Sequence, residues 1–168
     1  HEQPRRSRKD SAAQFGALLR DSCARCLVSD RPVGLLLSDG IDSNALLAAL
    51  PDPDDRVTCF SFRLRGGDSS DVPAQMIAPG RSLVDIEASR DELASHFDEF
   101  CADLTEPVGD MAALATWMII RSARSRATVF LCGHGGDEIL GGYRLSQDLF
   151  RLRLLRRSGP DLPEKVEL

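Results

Sequence analysis

The chain has 168 residues, 42% of them hydrophobic and 28% charged, the make-up of one soluble domain with enough apolar chain for a core. No apolar run approaches the roughly 20 residues of a membrane span, and no secretion signal opens the chain. The formal net charge of -5 argues against a nucleic-acid-binding surface.

His1 stands where a start methionine would, so the expected chain is an excerpt or processed piece of a longer one. Residues 1–10 read as a disordered basic arm, 11–157 as the folded domain and 158–168 as a polar tail. The basic clusters Arg5–Lys9 and Arg151–Arg157 read as solvated surfaces. Asp10 or Ser11 is positioned to cap a helix with apolar residues Phe15, Leu18, Leu19, Cys23, Cys26 and Leu27 at helical spacing. Five cysteines, an odd number, point to a reducing compartment, hence the cytoplasm. Cys23 and Cys26 have the CxxC spacing without the second pair a structural zinc site needs, so they read as core packing.

Val33–Leu37 is a short continuous apolar run, the pattern of a buried parallel strand. Ser38-Asp39-Gly40 turns the chain, and Asp42 or Ser43 starts a helix through Leu50. A loop at Pro51–Asp55 leads to a second strand, Val57–Phe62. A polar, glycine-rich stretch, Arg65–Ser70, precedes a short helix at Asp71–Ala78 and a third strand at Ser82–Ile86. Ser89 with Glu92 is a capping box. It opens a helix carrying Leu93, Phe97, Phe100, Cys101 and Leu104 on one face. A helix from Asp110 to about Arg124 is followed by a fourth strand, Thr128–Cys132, a glycine-rich turn at Gly133–Gly136, and a last helix, Tyr143–Arg157. Strands alternating with helices predict an α/β fold: a parallel sheet covered on both faces, doubly wound and Rossmann-like. Such sheets bind ligands at the carboxyl ends of their strands.

Two strand ends carry unusual chemistry. The first is Leu37-Ser38-Asp39-Gly40-Ile41-Asp42-Ser43, a strand running through a turn into a helix. Unpaired N–H groups and the helix dipole make such a helix start an anion site. Ser38 and Ser43 add hydroxyls, and Gly40 allows close backbone approach. Asp42 suits a phosphate only with a divalent cation between them. The same residues also fit a plain Ser-Asp-Gly turn with an Asp-Ser cap. The second is Cys132-Gly133-His134-Gly135-Gly136-Asp137-Glu138, followed by Ile139-Leu140-Gly141-Gly142-Tyr143. Five glycines in ten residues are more than a turn needs. Asp137 and Glu138 suit either magnesium or a helix start. His134 suits proton transfer near neutral pH or a structural role. His96, on a helix, reads as ordinary.

Ser-x-Gly-x-Asp-Ser after a strand resembles the pyrophosphate loop (PP-loop) of the N-type ATP pyrophosphatases. Gly-His-Gly-Gly-Asp-Glu-Ile-Leu-Gly-Gly-Tyr resembles the second signature of asparagine synthetases. Asp30–Gly34 and Glu106–Asp110 fit the same family, and the resemblance spans roughly residues 11–157. It implies an adenine nucleotide alpha-hydrolase-like fold and an ATP-dependent, AMP-forming ligase. Such an enzyme adenylates a small-molecule or peptide carboxylate for attack by ammonia or an amine. By matching position, Ser38, Gly40, Ile41, Asp42 and Ser43 would hold pyrophosphate. Leu37, Phe62, Cys132 and Gly133 would line the nucleoside site. Asp42 and Asp137 would hold Mg2+, with His134 and Asp137 as the catalytic pair. A glutaminase domain or partner chain would supply the ammonia.

Two positions depart from the family pattern: Asp39 stands where glycine is usual, and His134 where an acid is usual. The lysines, Lys9 and Lys165, match no family lysine. Relatives using an internal amine, in β-lactam or macrolactam formation, are the nearest alternative. A non-catalytic nucleotide-binding or scaffolding module is another.

Overall fold

In the computed structural model, which describes residues 7–51, 57–66 and 81–157, the apolar run after Pro32 becomes strand β1 (Val33–Leu36). The chain divides into two compact units, His1–Cys132 and Gly133–Leu168. In the first, β1 follows α1 (Arg8–Cys26) and precedes α2 (Ile41–Ala49), β2 (Val57–Leu64), β3 (Ser82–Ala88), α3 (Arg90–Ser95), α4 (Phe97–Asp103), α5 (Ala112–Ala123) and β4 (Val129–Leu131). The second unit contains α6 (Gly136–Leu140) and α7 (Arg144–Arg157).

All strand pairings are parallel, in the order β3-β2-β1-β4. Val33 lies opposite both Val57 and Val129, so β1 is an interior strand. Its side chains alternate between two cores. Val33, Leu35 and Leu37, with Val57 and Cys59, pack against Cys23 and Leu27 from α1 and its cap, and Leu47 and Leu50 from α2 and its cap. On the other face Leu36, Phe60, Phe62, Val84, Ile86 and Phe130 meet Ile119 and Ala123 of α5 and Ala127 beyond it. The α/β parallel sheet with both faces covered is therefore what the sequence led us to expect. Leu35 and Phe60 are fully buried, and each such side chain contributes about 2 kcal/mol of transfer free energy.

Gly34 lies where the second core is tightest. A Cβ there would sit 2.6 Å from Phe130 Cδ1 and Cε1 and 3.0 Å from Phe60 Cε2. The two rings meet edge to face, with centroids 5.8 Å apart. Absence of a side chain at 34 is what allows that packing across β1. Between β2 and β3, Ser61 Oγ and Arg63 Nη2 each donate to Asp85 at 2.8 Å. These bonds clamp the register of the two strands.

Several expectations need correction. The first helix starts at Arg8, because Ser7 caps it: Ser7 Oγ accepts from the Asp10 N–H at 3.1 Å. Arg8 and Lys9, read as part of the arm, are helical. The apolar stripe of α1 is only partly covered, with Phe15, Leu18 and Cys26 exposed. Only its C-terminal end, with Leu19, Cys23 and Leu27, packs into the first core. Of the CxxC pair, only Cys23 packs in the core, and burial pushes its thiol pKa up, with Cys26 adding to the rise.

The helix expected across residues 89–104 breaks at His96 into α3 and α4. Its capping box at Ser89 and Glu92 forms as expected. Ser95 Oγ then donates back to the Glu92 carbonyl at 2.8 Å, a competition that bends helices. The His96 N–H is shared among the Glu92, Leu93 and Ala94 carbonyls. Beyond the break Phe100 is buried, but Phe97 and Cys101 are exposed. His96 tilts against Trp117, whose Nε1 donates to Asp103 at 2.8 Å, and Arg121 bonds to Glu99. Those contacts pin α4 to α5.

Helix α2 starts at Ile41 with Gly40 as N-cap, one or two residues before Asp42 or Ser43. The arm at 1–6, the loop at 52–56, the polar segment beyond residue 66, the short helix at Asp71–Ala78 and the tail at 158–168 lie outside the described residues. Among the described residues, no helix is long and apolar enough to cross a membrane.

Gly34→Val is expected to overpack the Phe60–Phe130 contact and cost about 1–3 kcal/mol. Urea unfolding at constant m-value is the check.

Candidate functional site

The strand order fixes where a site belongs. From β1 the chain winds outward to β2 and β3, then returns to place β4 on the other side of β1. The winding reverses between β1 and β4, and at such a switch point the crevice outside the strand carboxyl ends is open for a ligand. There β1 leads into Leu37 and Ser38, and β4 leads into Cys132.

The loop after β1 is held by its own side chains. Ser38 N donates to Ser43 Oγ at 3.1 Å, and Gly40 N donates to Ser38 Oγ at 3.2 Å. Ser43 Oγ lies 3.0 Å from the carbonyl oxygens of Ser38 and Gly40 and 3.0 Å from Ser38 Oγ. Ser43 is buried, while Ser38, Asp39 and Gly40 are exposed. The Ser43 hydroxyl thus shapes the turn from inside. Asn44, which sequence reasoning passed over, completes the clasp: its Nδ2 donates to Ser38 O at 3.0 Å and to Gly40 O at 2.8 Å. An asparagine in a first helical turn, where its propensity is poor, was the available signal.

The turn leaves the start of α2 open. Its N-cap is Gly40, which has no side chain, and no side-chain cap bond forms. The first intrahelical bond is Asn44 N to Gly40 O at 3.3 Å. Among the described residues, the N–H groups of Ile41, Asp42 and Ser43 therefore lie at the positive end of the helix without a side-chain cap from Gly40, the arrangement that receives anions. Ile41 is exposed and Asp42 half-buried. Leu37, by contrast, points its side chain into the first core, and its N–H donates to Phe60 O at 2.8 Å. Phe62 is half-buried against the second core, and Cys132 is exposed.

The donor chemistry around Asp42 fits magnesium. Its carboxylate is a hard oxygen donor in the first turn of α2. Among the described residues, no group of three or more His, Cys, Asp or Glu forms a metal cage. Mg2+ ordinarily uses one or two carboxylates and takes its other ligands from phosphate and water, so a phosphate site with one acid suits it.

The second loop lies in the second unit. Gly136 N donates to Gly133 O at 3.2 Å, making the turn. Gly135 (φ 93°) is the left-handed N-cap of α6, and Gly141 (φ 70°) its left-handed C-cap, so α6 is a single short helix between two glycine hinges. Gly142 has a different reason. A Cβ there would come within 2.8 Å of Asp137 Cγ and 3.2 Å of Asp137 Cα. The Asp137 carboxylate occupies the space a side chain would take, and Gly142 N donates to Asp137 O at 3.0 Å. Asp137 is half-buried, and His134 and Glu138 are exposed. Tyr143 OH donates to Glu138 Oε1 at 2.8 Å. That bond, helped by backbone N–H groups and the nearby His134, lowers the Glu138 pKa below its usual 4.5.

Comparison with known proteins shows the family. Residues 14–166 match the family described as asparagine synthase, and the chain belongs to that family. It is 35% identical over 143 residues to a Mycobacterium tuberculosis protein named "Putative asparagine synthetase (glutamine-hydrolyzing)", covering 83% of this chain and 22% of the relative. It is 29% identical over 132 residues to "Asparagine synthetase (glutamine-hydrolyzing) 1" of Bacillus subtilis, covering 77% of this chain and 21% of the relative. A Methanocaldococcus jannaschii protein, "Putative asparagine synthetase (glutamine-hydrolyzing) 2", is 29% identical over 170 residues, covering 90% and 32%. The chain thus spans a fifth to a third of these relatives' lengths.

Gly142→Ala is expected to push the Asp137 carboxylate aside and change its carboxyl carbon resonance, with little loss of helix by circular dichroism. Tyr143→Phe should raise the Glu138 pKa toward 4.5. Because the folded value is depressed, the Tyr143–Glu138 contribution is present above that ordinary value and is lost as pH falls through the lower folded one. A carbon-13 carboxyl titration of both proteins checks the shift.

Proposed function

We propose that this domain binds ATP and activates a carboxylate as its adenylate, releasing pyrophosphate, within an ATP-dependent amide-forming ligase. The observation that carries the reading is the Ser38–Ser43 loop: an uncapped helix start at the end of an interior parallel strand, beside the sheet's switch point. Membership of the asparagine synthase family supports it.

In this reading, Ser38, Gly40, Ile41, Asp42 and Ser43 receive the β- and γ-phosphates. A carboxylate oxygen of the acceptor attacks the α-phosphorus, and the bond from that phosphorus to the bridging oxygen breaks. Pyrophosphate leaves with the bonding electrons, and the amides at the start of α2 stabilise the charge it gains. Leu37, Phe62 and Cys132 line the nucleoside site; with its side chain in the core, Leu37 acts there through its backbone. Asp42 would hold Mg2+, which when bound would neutralise phosphate charge. In the second step the amine nitrogen attacks the acyl carbon, and the carbon–oxygen bond to AMP breaks. His134 is the group assigned to take the proton from that nitrogen. The nitrogen comes from ammonia supplied by a glutaminase domain or partner chain, in keeping with the relatives' names.

ATP–pyrophosphate exchange in the full chain, with a panel of carboxylic acids, is the test. Acid-dependent exchange is expected, with Asp42→Ala slowing it by about a hundredfold, the scale of one lost electrostatic contact to developing charge. Exchange absent with every acid, together with no ATP binding, would refute the ligase. Full activity in Asp42→Ala would refute the site.

A further inference from the structure

We infer that Asn44 is a positioning residue for the pyrophosphate loop, one that turns the electronegative side of the loop away from the anion. The inference rests on the proposed function and deepens it. The difficulty for any phosphate site made from backbone is that every N–H comes with a carbonyl. In the turn before α2, the carbonyls of Ser38 and Gly40 lie within the same few residues as the N–H groups of Ile41, Asp42 and Ser43. A carbonyl oxygen facing a phosphate oxygen would offset much of what the amides contribute.

Asn44 deals with both carbonyls at once. Its Nδ2 donates to Ser38 O at 3.0 Å and to Gly40 O at 2.8 Å. Ser43 Oγ, buried beneath the turn, lies 3.0 Å from each of the same two oxygens. Gly40 O also accepts from Asn44 N at 3.3 Å. The carbonyls are therefore drawn to the inner side of the loop, and the exposed side is left to the uncapped amides.

The orientation of the Asn44 amide has a cost. Its Oδ1 is buried and has no hydrogen-bond partner among the described residues. Reversing the amide would put Oδ1 against two carbonyl oxygens, three acceptors together, which is worse. The side chain is thus held donor-forward by the loop, leaving its own oxygen unsatisfied. A residue kept only to fill space has no need of donors at this point.

Donor capacity, not volume, should then rank the variants. Asn44→Asp keeps the shape but replaces both donors with acceptors and adds a negative charge. Asn44→Leu keeps the volume without donors. Asn44→Ser is smaller, yet its hydroxyl can donate back to the Gly40 carbonyl one turn earlier. The experiment is titration calorimetry of the full chain with magnesium pyrophosphate, with near-ultraviolet circular dichroism as the check on folding. Relative to the unsubstituted protein, Asn44→Ser should weaken binding about threefold, Asn44→Leu about tenfold and Asn44→Asp by more than that; the scale is a few-fold to tenfold or more for hydrogen bonds worth about 1 kcal/mol each. If a variant does not fold, the ranking is read from the remaining ones, and Asn44→Ser alone must still lie below wild type. Wild-type affinity in the folded variants, or near-normal binding by Asn44→Asp with a large loss in Asn44→Ser, would overturn the role of Asn44 and leave the pyrophosphate site standing. Failure of the unsubstituted protein to bind magnesium pyrophosphate would overturn both.

Discussion

An interior parallel strand has to bury side chains on both of its faces while leaving its carboxyl end open, and β1 meets both demands. Val33 and Leu35 feed one core, Leu36 the other, and Gly34 makes room for Phe60 and Phe130 to touch across the strand. Because β1 is held by β2 on one side and β4 on the other, the residues after it emerge in a fixed direction. Under the proposed function, a loop that offers several N–H groups to one ligand needs such a base. Flexible support would spend binding energy on ordering the loop.

The loop beyond β1 is built from polar bonds of short sequence range. Ser38, Gly40, Ser43 and Asn44 bind one another across separations of two to six residues. Local closure of this kind lets the turn keep its shape without help from the distant chain. The second signature is equally local in its own unit, where Gly135 and Gly141 bracket one turn of helix and Gly142 makes space for the Asp137 carboxylate. The family match over residues 14–166 places the chain in the asparagine synthase family.

Much of this was legible in the sequence because the signals were local or periodic. The unbroken run Val33–Leu37 announced a strand covered on both sides, and Ser89 with Glu92 announced a helix start that the structure keeps. The features that escaped depend on competition or on distance. Periodicity carried one helix through residue 96, but the helix breaks there, where the His96 N–H is shared among three carbonyls and the Ser95 hydroxyl also bonds one of them. The stripe on α1 looked like a core face, yet only Leu19, Cys23 and Leu27 at its C-terminal end meet the core. Gly34 looked like any glycine within an apolar run, and only the positions of Phe60 and Phe130 reveal its use. Asn44 was invisible as a functional residue because its role is to bind carbonyls six and four residues earlier, which no motif spacing records.

The central claim is that the uncapped start of α2 receives pyrophosphate. Nitrogen-15 amide spectra of the protein titrated with magnesium pyrophosphate test it most directly. Saturable shifts are predicted, largest at the amides of Ile41, Asp42 and Ser43. Saturable binding that leaves those three amides unmoved would contradict the claim.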